Sequence, residues 1–215
     1  GIAGAQGGRQ AGRQTMTTRM AKGTMMMNCG LAALLGIAVA TFPAVAAERA
    51  IEKSVVVDAT LDEVWDSWTT RDGVVAFFAP DARIEPHVGG AFNIYIDPTA
   101  EPGSKGADDM RFMALQPKKM LSFDWSAPPH LPEARAQRTF VVLRFDPVSD
   151  RQTRVTLHHT GWGDGGEWDK AYAYFDKAWA GVLASLQKRW TQGPQDWTEW
   201  LKQLRQWREQ AAQKK

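Results

Sequence analysis

The chain has 215 residues, of which 44% are hydrophobic and 23% are charged, values that suit one globular domain with a substantial core. Its formal net charge is +2, and because acidic residues are absent before Glu48, a cationic leader precedes a slightly acidic remainder. Neither composition nor charge indicates a nucleic-acid partner.

The first 47 residues have the pattern of a secretory signal. Arg19 and Lys22 precede an apolar run at 31–41, and small residues at 44–47 provide a cleavage site. The run is shorter than the roughly 20 residues of a membrane span, although a retained anchor stays open as an alternative. We therefore expect a periplasmic or secreted protein. The single cysteine, Cys29, lies in this leader, so the mature chain is expected to contain neither disulfides nor thiolate metal sites.

The mature chain opens with a predicted strand and two short helices. β-Branched residues in partial alternation predict the strand at 51–58. Thr60 and Glu63 then have the spacing of a capping box, which predicts a helix immediately after the strand. Apolar residues at 72–78, followed by Pro80, predict a second short helix.

Six further strand candidates follow, separated by turn residues. They lie at 82–85, 91–97, 110–115, 120–125, 139–145 and 155–160. Their short turns predict antiparallel neighbours. The two longer connections, at 98–108 and 127–136, are rich in Pro, Gly and charged residues, and we expect them to be mobile rims.

The longest helical pattern comes next. Apolar residues recur at steps of three and four up to Trp190, which predicts one helix over 167–190, roughly 36 Å long. The glycines at 161–166 that precede it lack the spacing of a phosphate loop and are expected to shape the turn into the helix. The order of elements predicts an α+β fold in which a curved antiparallel sheet of about six to seven strands wraps around the long helix.

An appended helix is predicted after the break at Gly193 and Pro194. Trp197, Trp200 and Trp207 recur on one face of this amphipathic segment. Docking on the domain, a homodimer contact and a membrane-surface contact are all open roles for it. The predicted organisation is thus a leader at 1–47, a domain at 48–192 and a helical extension at 193–215.

The pattern of the domain resembles a known family. The residues that carry the likeness are Val155, Thr156, Leu157, His158, His159, Thr160, Gly161 and Trp162, followed by the aromatic helix, with support from Ala59, Gly89, Gly90, Pro117, Leu121 and Trp125. The chain resembles the AHSA1-type, or Hsp90 ATPase activator homologue-like, domains of the START and Bet v 1-like superfamily. The resemblance implies a helix-grip fold with a cavity between helix and sheet. The secretory leader argues against a co-chaperone role, because Hsp90-type ATPases are not expected outside the cytoplasm.

Candidate ligand-binding residues come from the inward faces of the strands and the long helix. Strand alternation and the helical stripe select Phe92, Ile94, Phe112, Trp125, Val141, Leu143, Leu157, His159, Trp168, Tyr172, Phe175 and Trp179. A solid core would show the same pattern, so cavity and core are both open. His159 could orient a ligand or act as a base, or it could be a hydrogen-bonded core residue.

No catalytic constellation stands out in the sequence. His158 and His159 are adjacent on a strand and point to opposite faces, so they are not expected to share a metal ion. No cofactor is expected. The sequence predicts an exported protein that binds a hydrophobic or aromatic small molecule. An enzyme acting on such a compound and an interaction or chaperone-like module using the terminal helix are the alternatives.

Overall fold

A computed structural model describes residues 48–213. The predicted leader therefore lies outside the described residues. Within the described range the elements are β1 (Ile51–Val57), α1 (Leu61–Thr69), α2 (Arg71–Val75), β2 (Asp81–Ile84), β3 (Phe92–Tyr95), β4 (Gly106–Ala107), β5 (Phe112–Gln116), β6 (Met120–Trp125), α3 (Pro132–Arg135), β7 (Thr139–Ser149), β8 (Gln152–Thr160), α4 (Gly166–Gln192) and α5 (Thr198–Gln213).

Two antiparallel sheets form the β layer. The larger sheet has the strand order β1-β8-β7-β6-β5, and the smaller sheet has the order β2-β3-β4. An isolated bridge between Ala91 and Arg111 connects them. The predicted α+β helix-grip fold is confirmed, although the strands are divided between two sheets and include the short β4, which the sequence did not predict.

The capping box at the start of α1 is present as predicted. The Thr60 hydroxyl accepts a hydrogen bond from the Glu63 amide at 3.3 Å, and the Glu63 carboxylate accepts one from the Thr60 amide at 2.8 Å. Two amide donors at the helix start are thereby satisfied reciprocally. This local pairing fixes the point at which the chain leaves β1 and crosses towards α2.

Removing the capping hydroxyl should destabilise the domain modestly. We expect Thr60→Ala to lower the free energy of unfolding by about 1 kcal/mol, because the Glu63 amide loses its acceptor. Urea unfolding measures the change. Thr60→Ser is the matched control, since it keeps the hydroxyl. An equal loss in both variants would show that the threonine methyl group, not the cap, is responsible.

Helix α4 packs one face against the larger sheet. Its buried residues are Ala171, Phe175, Trp179, Leu183 and Leu186, which follow the predicted steps of three and four. Each large side chain among them contributes about 1.5–3 kcal/mol by leaving water. Gly165 and Gly166, at the start of the helix, have φ values of 68° and 53°, a left-handed backbone that favours glycine. The predicted role of these glycines in the turn is confirmed.

The segment that leads into the appended helix α5 contacts the domain at the end of α2, and α5 itself contacts the residues beyond the end of β3. The Trp197 indole donates to the Val75 carbonyl at 2.7 Å, and the Gln195 amide donates to the Ala76 carbonyl at 2.8 Å. Trp207, further along the helix, is 49% exposed. These contacts show the extension docked on the domain, which is one of the three roles that the sequence left open. Among residues 48–213, no helix is long and apolar enough to cross a bilayer.

Candidate functional site

A cavity of about 250 Å³ lies between the smaller sheet and α4. Its walls come from the end of β3 and the segment leading to β4, from the segment after β6, and from α4. The lining residues are Ile94, Ile96, Asp97, Ser104, Lys105, Gly106, Ala107, Trp125, Ser126, Pro128, Pro129, His130, Tyr174 and Phe175. Most of these side chains are aromatic or aliphatic, so the cavity suits an apolar molecule.

The predicted site residues divide between this cavity and the core. Ile94, Trp125 and Phe175 line the cavity. Phe92, Phe112, Val141, Leu143, Leu157, His159 and Trp179 are buried and do not line it. Trp168 and Tyr172 are partly buried at the edges of the core. Strand alternation therefore identified buried positions but did not separate those that pack solidly from those that face open space.

His159 is enclosed by protein partners on both ring nitrogens. The Trp179 indole donates to Nδ1 at 2.9 Å, and Nε2 lies 2.7 Å from the Thr139 hydroxyl. Because an indole N–H can only donate, Nδ1 carries no proton, and the proton of the neutral ring is on Nε2. The Thr139 hydroxyl in turn donates to the Trp125 carbonyl at 3.3 Å. A hydrogen-bonded chain thus runs from α4 through the sheet to the cavity wall.

The environment of His159 keeps its ring neutral. The side chain is fully buried, and burial, with a smaller effect from His158, lowers the pKa of His159 to about 3. A positively charged ring would lose the acceptor that Trp179 needs. The hydrogen bonds and burial of His159 therefore fit a core residue more closely than a catalytic base that exchanges protons near pH 7.

Arg135 joins the two long connections that form the cavity walls. Its guanidinium donates to the Ala127 carbonyl at 2.5 Å and to the Gly103 and Gly106 carbonyls at 2.8 and 3.1 Å. Asp108 lies 3.8 Å away as an ion-pair partner. Burial lowers the pKa of Arg135, while the Asp108 charge opposes that effect. The predicted mobile rims are thus joined to each other by one side chain.

Helix α5 holds the outer wall of the cavity. The Trp200 indole donates to the Ile96 carbonyl at 2.8 Å, and Arg208 forms an ion pair with Asp97 at 2.5 Å. Burial acts to raise the pKa of Asp97, but hydrogen bonds from Thr99 and Arg208 hold it below its ordinary value. Asp97 is therefore a bound carboxylate anion rather than a general base poised near neutral pH.

Several cavity residues escaped prediction from the sequence. Pro128, Pro129 and His130 lie in the connection after β6, and Tyr174 lies beside the apolar stripe of α4. The signal that could have found them is the length of the two Pro- and Gly-rich connections, since binding residues concentrate on such loops. In residues 48–213, no group of three or more His, Cys, Asp or Glu side chains is arranged to hold a metal ion.

Solved structures with the same fold come from several bacteria. A protein from Mesorhizobium loti has a TM-score of 0.52 and 19% identity, covering 65% of this chain and 95% of its own. The Aha1 dimer from Colwellia psychrerythraea has a TM-score of 0.51 and 20% identity, covering 67% and 98%. CalU16 from Micromonospora echinospora has a TM-score of 0.51 and 20% identity, covering 76% and 86%. At these identities the likeness shows a shared fold.

Comparison with curated proteins found no match. The family model described as "Activator of Hsp90 ATPase homolog 1-like protein" matches residues 58–190. The matched region includes the capped helix α1, the smaller sheet, every strand of the larger sheet except β1, and nearly all of α4. The resemblance that the sequence suggested is confirmed over more than half of the chain. The chain therefore belongs to the family of Activator of Hsp90 ATPase homolog 1-like (AHSA1) proteins.

Proposed function

We propose that this chain is an exported protein that binds a hydrophobic or aromatic small molecule in the cavity between the smaller sheet and α4. The observation that carries the proposal is the cavity of about 250 Å³ with mainly apolar walls. Concave sites of this composition, with a few polar groups, are the usual setting for small molecules. The volume suits a ligand of roughly one or two aromatic rings. The leader pattern at 1–47 supports export.

Identification of a retained compound tests the proposal. The mature protein, purified from its own compartment, would be analysed by native mass spectrometry and then extracted under denaturing conditions. We expect one apolar or aromatic compound per chain. Failure to retain any compound, together with no thermal shift from a panel of aromatics and lipids, would contradict the proposal. Chemical conversion of the compound during incubation would favour the alternative of an enzyme acting in the same cavity.

Filling the cavity should abolish binding without unfolding the domain. Ile96 lines the cavity and is 37% exposed, so Ile96→Trp adds volume at the cavity wall rather than inside the core. We expect at least about a tenfold loss of affinity for the retained compound, measured by isothermal titration, because the ligand and the indole compete for the same space.

Val88→Trp is the matched control for this substitution. Val88 is 68% exposed and does not line the cavity, so the same enlargement there should leave affinity unchanged. Equal affinity in Ile96→Trp and the unaltered protein would place the ligand elsewhere.

A further inference from the structure

The lining of the cavity divides into a buried floor and an exposed or half-buried rim. The floor consists of buried residues with mainly apolar side chains, namely Ile94, Ala107, Trp125, Ser126, Pro128 and Phe175. The hydroxyl of Ser126 already accepts a hydrogen bond from Arg135 at 3.3 Å. A charged ligand group on this floor would therefore lose its hydration without replacement, whereas an apolar ring system loses none.

The rim carries the remaining polar side chains of the lining. Ser104, His130 and Tyr174 are exposed, and Asp97 and Lys105 are half-buried. The rings of His130 and Tyr174 meet edge to face, with 6.4 Å between their centroids, which brings an imidazole and a hydroxyl together at the rim. An apolar floor below a polar rim fits an amphipathic molecule, whose polar group stays partly hydrated while its apolar part is buried.

Two residues of the rim, Asp97 and Lys105, carry opposite charges, and their surroundings differ. The Asp97 carboxylate accepts hydrogen bonds from the Thr99 amide at 3.1 Å and the Thr99 hydroxyl at 2.8 Å, and it forms an ion pair with Arg208 at 2.5 Å. Lys105 forms no ion pair with a carboxylate within residues 48–213, and its ammonium lies over the ring of Tyr95, 5.3 Å from the centroid. Because Arg208 neutralises Asp97, the rim keeps the positive charge of Lys105.

The ammonium of Lys105 lies beside the cavity and not on its floor. Tyr95, the ring that it contacts, does not belong to the lining. A lysine side chain has a flexible stem of four carbons, so a half-buried lysine can turn its ammonium towards an anion at the rim. Such an attraction acts through partly aqueous surroundings, and it has the modest strength of an exposed ion pair.

We propose that the cavity binds an amphipathic aromatic carboxylate, with its ring system on the apolar floor and its carboxylate at the rim, where Lys105 attracts the charge and His130 and Tyr174 supply hydrogen-bonding groups. This inference rests on the proposed function, since it names the ligand class of the same cavity. The floor selects the ring system, and the charge of the rim selects the anion over neutral or cationic groups of similar shape.

Three probes with one ring system test the sign of the charge. 2-Naphthoate, 2-naphthamide and the 2-(aminomethyl)naphthalene cation carry a negative, a neutral and a positive group. By isothermal titration at neutral pH, the unaltered protein should bind the naphthoate about three- to fivefold more tightly than the amide, and the cation most weakly. An increase in NaCl from about 0.05 M to about 0.5 M should reduce these differences, because salt screens exposed charges.

Removal of the Lys105 charge should abolish the preference for the anion. Lys105→Gln should bind naphthoate and naphthamide alike. Lys119→Gln is the matched control, because Lys119 is exposed in the turn between β5 and β6 and does not line the cavity, and it should keep the preference. Arg208→Gln gives a second test, since it leaves the Asp97 charge without its cation and should also lower the ratio of the two affinities.

Each outcome of these titrations decides for or against the inference. Equal affinities for the three probes in the unaltered protein, or tightest binding of the cation, would overturn the inference and leave the proposed function standing. A preference for naphthoate that persists in Lys105→Gln would overturn it as well, since the attraction would then come from another group. Binding of none of the probes would overturn the inference and count against the proposed function too.

Discussion

Acidification from pH 7 to pH 5 should lower the free energy of unfolding by about 2 kcal/mol through His159 alone. Burial, with a smaller effect from His158, lowers the pKa of His159 from 6.5 to about 3 in the folded protein. The unfolded chain therefore binds this proton at a higher pH than the folded chain does. The stability is fully present above pH 6.5 and decreases as the pH falls towards 3, because a charged ring cannot accept the Trp179 hydrogen bond.

Urea unfolding between pH 5 and pH 7 isolates this contribution. Carboxylates with a lowered pKa, such as Glu63 and Asp97, have ordinary values of 4.5 and 3.8, so their stabilising contributions are lost below this window. His159→Gln can accept from Trp179 and donate to Thr139 without titrating, and it should remove the pH dependence that His159 causes. His158→Gln, at the adjacent half-exposed position, is the control. The same pH dependence in His159→Gln and the unaltered protein would contradict the assignment.

The regular elements were predictable because their determinants are local. The capping box needs only Thr60 and Glu63, three positions apart, and the stripe of α4 repeats every three or four residues. Alternation likewise identified inward-facing positions such as Leu143 and Leu157, both fully buried. Residues near one another in sequence carry the information that decides each of these features.

The short elements within the long connections were missed because distant partners form them. β4 has two residues, and it exists because Ala107 and Gly106 pair with Ile94 and Tyr95. Arg135, at the end of the four-residue α3, reaches back to Gly106 and Gly103. Pro and Gly in these segments indicated loops, and the loops are joined by contacts that no periodicity encodes.

The candidate site was only partly predictable for the same reason. An inward-facing aromatic residue in a sequence can pack against a neighbour or line a cavity, and strand alternation is identical in the two cases. Phe123 and Trp125 lie two positions apart, on the same face of β6. Trp125 nevertheless lines the cavity, whereas Phe123 stacks on Phe92, with 3.9 Å between ring centroids. What separates them is the position of the loop after β6, which depends on Arg135 and its carbonyl partners.

Deleting residues 193–215 should weaken both the fold and ligand retention. The deletion removes the bonds from Trp197 to Val75 and from Trp200 to Ile96, together with the ion pair between Arg208 and Asp97. We expect a loss of about 2–3 kcal/mol in the free energy of unfolding, because several hydrogen bonds and the apolar contacts of the helix disappear together. We also expect the retained ligand to dissociate at least about tenfold faster, since Ile96 and Asp97 form part of the cavity wall.

A single substitution separates the effect on the wall from the effect on the fold. Arg208→Gln removes the ion pair with Asp97 and the guanidinium's hydrogen bonds to Thr99, and it leaves the contacts of Trp197 and Trp200 in place. Hydrogen exchange of the segment from 96 to 105 should accelerate, and ligand dissociation with it, while overall stability changes by less than about 1 kcal/mol. Arg205→Gln, one turn earlier on an exposed face, is the matched control and should change neither rate. Faster exchange without faster dissociation would show that the ligand does not leave past this wall. Unchanged hydrogen exchange in Arg208→Gln would show that the tryptophan contacts alone hold the segment from 96 to 105 in place.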